Sequence, residues 1–105
     1  MLESDQDPRP TGTGVSISIV AYMTTWCPDC LDAQKVLKRS GLAYTMIDVE
    51  AVASAEKEMI EAAGGVRKVP TIIIEAGDSR RVLIEPADTD LNDALKEAKA
   101  LLLAS

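Results

Sequence analysis

Two cysteines separated by two residues are the part of this sequence with the clearest capacity for chemistry. Cys27 and Cys30 are the two cysteines of a 105-residue chain that contains no histidine. Ser-His-Asp hydrolysis, Cys-His proteolysis and histidine-ligated metal sites are therefore excluded. A C-x-x-C pair can close a disulfide across one helical turn, so the pair indicates thiol–disulfide exchange.

The residues around the pair predict that Cys27 stands at the start of a helix. An apolar strand from Val15 to Met23 precedes it, and Pro28 suits the first helical turn. Unpaired backbone N–H groups and the helix dipole would then face the Cys27 sulfur and favour its thiolate. Cysteines in such sites titrate at roughly 3.5–7.5, against ~8.5 for a free thiol. Cys27 is therefore the predicted nucleophile, and Cys30 is the less exposed resolving thiol.

Other interpretations of the pair stay open at this point. Zinc requires four nitrogen or sulfur ligands, so these two cysteines could hold it only with carboxylates or between two chains. Two inert buried thiols, or a redox-sensing module without catalysis, are the further alternatives. The effect of Asp29 is also open, because its charge suits a first helical turn but opposes a thiolate beside it.

Charge and composition narrow the classes of partner and the location. Seventeen acidic residues against 11 basic ones give a formal charge of −6, which disfavours nucleic acid. No apolar run approaches the ~18 residues of a membrane span. Residues 1–14 are rich in proline, glycine and acidic residues, which predicts a flexible leader before one domain over residues 15–105. Because this leader lacks the apolar region of a secretory signal, we expect a cytoplasmic protein. We also expect it to be a monomer.

Hydrophobic patterns predict four strands and three helices in the order β-α-β-α-β-β-α. The predicted strands cover residues 15–23, 43–49, 69–75 and 81–85. The β-α-β unit requires a parallel crossover, whereas the short turn before the last strand makes its pair antiparallel. The expected fold is therefore an α/β domain with a mixed four-stranded sheet and helices on both faces.

Apolar stripes at helical spacing define the predicted helices. The first begins after Cys27 and ends at Gly41, the second covers residues 51–63, and the third has Asp88 or Thr89 as its N-cap. The shared apolar faces comprise Val52, Ala55, Met59 and Ala62 in the second helix, and Leu91, Ala94, Leu95, Ala98, Leu101 and Leu102 in the third.

The order of elements and the segment Thr25-Trp26-Cys27-Pro28-Asp29-Cys30 resemble the thioredoxin superfamily. The lack of an additional N-terminal β-α unit is similar to the small glutaredoxin members, and residues 64–71 are most similar to actinobacterial mycoredoxin-type proteins. The resemblance covers residues 15–105 and implies the thioredoxin/glutaredoxin fold. It also implies that Cys27 attacks, that Cys30 resolves, and that Val69-Pro70 is a cis peptide bond.

The resemblance further implies a substrate surface and an electron donor. Mycothiol, glutathione or bacillithiol would be the co-substrate, or a flavin reductase would supply electrons as it does to thioredoxins. Disulfide-containing proteins would be the substrates, and no bound cofactor or metal is implied. Arg67 and Lys68 could bind a carboxylate or support the Cys27 thiolate, or they could simply form part of a solvated loop. The implied substrate-binding residues are Trp26, Pro28, Asp29, Arg67, Lys68, Val69, Pro70, Asp88, Thr89 and Asp90.

Three departures from the glutaredoxin pattern concern the small thiol. Typical glutaredoxins carry a tyrosine where Asp29 stands and a lysine where Thr24 stands. They also carry a Gly-Gly pair where this chain has Glu85-Pro86-Ala87. These differences argue against ordinary glutathione recognition and leave the dithiol chemistry intact.

Overall fold

The computed structural model describes residues 16–104, which form four strands and three helices in the predicted order. The predicted leader over residues 1–14 lies outside the described residues, as does Val15, the predicted start of the first strand. The strands are β1 (Ile17–Met23), β2 (Thr45–Asp48), β3 (Thr71–Ala76) and β4 (Ser79–Ile84), and the helices are α1 (Pro28–Ser40), α2 (Ala55–Ala62) and α3 (Asp88–Ala104).

The four strands form one mixed sheet in the order β2-β1-β3-β4. β1 runs parallel to β2 and antiparallel to β3, and β3 runs antiparallel to β4, as the connections predict. Tyr22 near the end of β1 pairs with Thr71 at the start of β3. The residues before Thr71 are therefore level with the loop that leads from β1 to Cys27.

The two faces of the sheet carry separate apolar clusters, which confirms helices on both faces. The larger cluster joins β1 and β3 to α1 and α3, and it includes both cysteines. The smaller cluster joins the opposite face of β1 to α2 through Tyr22, Val49, Ala55 and Met59. Because residues 21–23 of β1 are buried on both faces, the C-terminal end of this strand is fixed where α1 begins.

The predicted start of the second helix at residue 51 is wrong, since α2 begins at Ala55. Turns occupy the residues between β2 and α2, where the Ala51 and Val52 N–H groups both donate to the Asp48 carbonyl. The Asp48 side chain also accepts from the Glu50 N–H at 2.9 Å, and such local bonds compete with helix formation. Val52 is consequently 46 % exposed and does not share the buried face of α2.

Two details of the last helix also differ from expectation. The Leu91 N–H donates to the Ala87 carbonyl, so Ala87 takes the N-cap position that the sequence assigned to Asp88 or Thr89. Leu101 and Leu102 are 42 % and 40 % exposed, although their spacing placed them on the buried stripe. A 17-residue helix is about 25 Å long, whereas the six-residue β3 beneath it spans about 20 Å. The last turn of α3 therefore extends beyond the sheet.

The length and polarity of the helices bear on membrane insertion. Within residues 16–104, no helix combines the length and the apolar character that crossing a bilayer requires.

Candidate active site

Cys27 occupies the N-cap position of α1, as the sequence predicts. Its backbone is extended, with φ −82° and ψ 119°, and Pro28 follows in the first turn. The Cys30 N–H donates to Cys27 Sγ at 3.3 Å, and the Leu31 N–H donates to the Cys27 carbonyl at 3.1 Å. The sulfur therefore takes the role that a serine or aspartate oxygen usually has at a helix start. The positive end of the helix dipole faces it, which favours negative charge on the sulfur.

The two thiols differ in their access to solvent. Cys27 is 7 % exposed, whereas Cys30 is 0 % exposed and lies on the inner side of α1. Both are free cysteines, and both belong to the larger apolar cluster. Cys27 therefore keeps a small contact with solvent at the start of α1, whereas Cys30 has none.

Burial also sets the protonation state of the inner thiol. The pKa of Cys30 is raised from 9.0 to about 12, first by burial and then by its hydrogen bond with Cys27 and the charge of that sulfur. The backbone and the hydroxyl of Thr24 act in the opposite direction and lower the pKa of Cys30, because they would donate to its sulfur once that sulfur is ionised. At neutral pH, Cys30 is consequently a neutral thiol.

Thr24 is a residue of this site that the sequence analysis missed as a functional group. It is 2 % exposed, and its Oγ1 has no hydrogen-bond partner within residues 16–104. The pattern of the sequence marks position 24 only as a departure from lysine. Because its importance comes from its effect on the pKa of Cys30, six residues further along the chain, spacing alone gave no signal for it.

The Val69-Pro70 peptide bond is cis, which confirms the prediction for this position. Pro70 is fully buried, and its carbonyl accepts from the Glu85 N–H at 2.8 Å. Val69 is half-buried and packs against the cluster that contains Cys27 and Cys30. Among the described residues, no hydrogen bond uses the N–H or carbonyl of Val69. Both groups are thus available to a peptide that approaches the thiols.

Trp26 and Asp29 lie on the exposed surface around the Cys27 sulfur. Trp26 is 63 % exposed, and its indole Nε1–H donates to Glu50 Oε1 at 2.9 Å. Because this one bond anchors the edge of the ring, the faces of the indole remain open to a partner. Pro28 and Asp29 are also exposed in the first turn of α1. The structure therefore brings these sequence-predicted residues together beside the nucleophile.

The predicted cations of the small-thiol site are both engaged by carboxylates of the chain itself. Arg67 Nε lies 2.6 Å from Glu56 Oε2, and Lys68 Nζ lies 3.7 Å from Glu85 Oε1. All four side chains are about half exposed, from 44 % to 50 %. The sequence identified the cations but not their partners. The loop before the cis proline therefore carries balanced charge rather than an open basic patch.

The predicted residues at the start of the last helix lie in the first turn of α3, where all three are exposed. This turn follows Glu85, whose N–H binds the Pro70 carbonyl. Asp88 and Asp90 add negative charge there, which the helix N-terminus favours. Across residues 16–104, no group of three histidine, cysteine, aspartate or glutamate side chains is arranged to hold a metal ion.

Comparison with known proteins gives a consistent result. The glutaredoxin family model matches residues 19–78. Glutaredoxin 1 of Rickettsia conorii is 36 % identical over 59 residues, which are 55 % of this chain and 58 % of that protein. A Mycobacterium tuberculosis protein provisionally named a glutaredoxin is 29 % identical over 65 residues, or 62 % of this chain and 77 % of that protein. The match thus spans somewhat more than half of the Rickettsia relative.

A solved structure extends the likeness to most of the chain. The thioredoxin of Malassezia sympodialis superposes with a TM-score of 0.61 at 17 % identity, covering 82 % of this chain and 80 % of that one. At this identity the likeness shows the fold alone. It confirms the thioredoxin/glutaredoxin fold that the sequence resemblance implies.

The raised pKa of Cys30 predicts how stability depends on alkaline pH. An unfolded thiol titrates near 9.0, whereas folded Cys30 titrates at about 12, so the unfolded chain loses this proton first. The stabilising contribution is therefore full below pH 9 and is lost progressively as the pH rises toward 12. Urea unfolding under reducing conditions should show the loss. The Cys30→Ser variant should lose stability less steeply over this range, and equal slopes would contradict the assignment.

Proposed function

The chain belongs to the glutaredoxin family, and from that premise we propose that it is a thiol–disulfide oxidoreductase. It reduces protein disulfides, or mixed disulfides between a protein and a small thiol. The observation that carries the proposal is the Cys27 sulfur at the start of α1, which accepts the Cys30 N–H at 3.3 Å. A sulfur at a helix N-terminus, one turn from a neutral and sealed thiol, is an arrangement that suits stepwise disulfide exchange.

The reaction proceeds in two exchange steps. The Cys27 thiolate attacks one sulfur of the substrate disulfide, a Cys27–substrate disulfide forms, and the other sulfur leaves as a thiolate that takes up a proton. The Cys30 thiol then loses its proton and attacks Cys27 Sγ. The Cys27–Cys30 disulfide closes, and the second substrate sulfur leaves and is protonated. The two electrons that reduce the substrate come from the two thiols of the chain.

Disulfide-containing proteins fit the surface around the nucleophile. An extended segment can pair with the free N–H and carbonyl of Val69, as an added strand pairs with a sheet edge. The exposed face of Trp26 supplies apolar contact next to the attacked sulfur. We propose that the protein acts as a monomer in the cytoplasm, where dithiols are kept reduced.

Charge around the cis proline favours a small thiol without carboxylates as the electron donor. A carboxylate of glutathione would have to displace Glu56 from Arg67 or Glu85 from Lys68. Asp29 and the first turn of α3 add further negative charge on this side of the site. Mycothiol is a conjugate of cysteine with sugars and has no carboxylate. It therefore neither has to displace these glutamates nor is repelled by this negative charge, whereas bacillithiol and glutathione carry carboxylates. Reduction by a flavin reductase is the second candidate, which the exposed tryptophan before Cys27 favours.

Substitution of each cysteine tests the proposed roles. Cys27→Ser should abolish turnover of a mixed disulfide between a protein and a small thiol, because the one remaining thiol, Cys30, is sealed from solvent. Cys30→Ser should keep part of this activity, since the small thiol itself can resolve the intermediate, but should lose reduction of protein disulfides. Both rates can be followed by coupled oxidation of the donor. Full activity of Cys27→Ser would contradict the assignment.

Removing the internal carboxylates tests the preference for an uncharged thiol. In Glu56→Gln and Glu85→Gln, Arg67 and Lys68 are free to bind an anionic thiol, so the KM for glutathione should fall a few-fold, as expected for exposed ion pairs. The KM for mycothiol should stay unchanged. Glu61→Gln removes one exposed charge from α2 away from these pairs and serves as the control. An equal effect of all three variants would indicate net charge alone and contradict the specific role.

A further inference from the structure

The Thr24 hydroxyl is a buried polar group that has no hydrogen-bond partner within residues 16–104 when both cysteines are reduced. Thr24 directly follows β1 and is 2 % exposed, and its Oγ1 has no hydrogen-bond partner in the described part of the chain. Such groups are rare in folded proteins because their desolvation is not repaid by a hydrogen bond. Valine has nearly the same shape and would avoid this penalty. The hydroxyl therefore requires an explanation beyond packing.

The neighbour that can use this hydroxyl is the Cys30 sulfur. The hydroxyl and the backbone of Thr24 both stabilise the ionised form of Cys30, against burial and against Cys27. A neutral thiol is a weak acceptor, whereas a thiolate accepts strong, charge-assisted hydrogen bonds. The Thr24 hydroxyl has no partner while both cysteines are neutral thiols, and it thus gains one when Cys30 loses its proton.

Cys30 has a particular need for such a donor. Its sulfur is sealed from solvent, so water does not stabilise the negative charge that develops on it. The N–H at the start of α1 is directed at Cys27 instead. Cys27 is the titratable neighbour of Cys30, and its charge disfavours the Cys30 thiolate until its sulfur is bound in a mixed disulfide.

We propose that Thr24 is a catalytic residue of the resolving step, in which its hydroxyl and backbone N–H bind the Cys30 sulfur as it becomes a thiolate. The Cys30–Cys27 bond forms, the bond from Cys27 to the substrate sulfur breaks, and the proton that Cys30 loses is balanced by the one that the departing sulfur takes up. The departing thiolate is protonated, and Thr24 keeps its own proton throughout. This inference rests on the proposed function, because it concerns the second of its two steps.

A chromogenic disulfide separates the two steps. When reduced protein reacts with dithiobis-nitrobenzoate in a stopped-flow instrument, attack by Cys27 releases the first coloured thiolate and resolution by Cys30 releases the second. Thr24→Val should slow the second release at least about tenfold, the effect of losing one hydrogen bond to a charged group. It should also move the pH dependence of this release to higher pH. Thr24→Ser, which keeps the hydroxyl, should remain close to the wild-type rate.

The first release is the internal control of this experiment. It should change little in Thr24→Val, and in a Cys30→Ser background the substitution should have no effect on it, which also reports that the variant is folded. Thr24→Ala removes the same hydroxyl with a smaller side chain and should repeat the slow second release. A second release at the wild-type rate in both variants would overturn the role of Thr24. A first release that does not depend on Cys27 would instead overturn the proposed function.

Discussion

A hydrogen bond from the Cys30 backbone to the Cys27 sulfur is the interaction on which the rest of the site depends. It exists only if α1 begins immediately after Cys27, and Pro28 in the first turn favours that start. It also requires that the end of β1 be held in place, which burial on both faces of the sheet provides. The fold thus delivers one sulfur to a helix N-terminus, where backbone dipoles favour negative charge without any histidine.

The same helix gives the second sulfur the opposite environment. One turn along α1, Cys30 points into the apolar cluster, where burial raises its pKa to about 12. A thiol that is neutral at rest does not compete for the substrate, but it must ionise to resolve the intermediate. The hydroxyl of Thr24, which directly follows β1 and has no other partner among the described residues, can donate to the Cys30 thiolate. Thr24, directly after β1, therefore provides donors for the Cys30 sulfur, whereas the start of α1 provides the donor for the Cys27 sulfur.

Features set by one strong local preference were predictable from the sequence, whereas features that depend on competition between local bonds, or on distant residues, were not. Pro28 and Gly41 set the ends of α1 through local backbone preferences, and Gly41 has the positive φ of 76° that glycine permits. The hydrogen bonds to Asp48 displace the start of α2 and leave Val52 exposed, although the apolar spacing of this segment is typical of a helix. The glutamate partner of Arg67 comes from another element, so only the folded chain reveals it.

Competition between the two thiols for a limiting alkylating reagent tests the central claim most directly. Reduced protein is treated with less than one equivalent of iodoacetamide near neutral pH, and peptide mass spectrometry locates the label. We expect the label on Cys27 with at least a tenfold preference, because Cys27 retains some exposure at the helix start while Cys30 is sealed and neutral. Equal labelling, or a preference for Cys30, would contradict the assignment of the attacking sulfur.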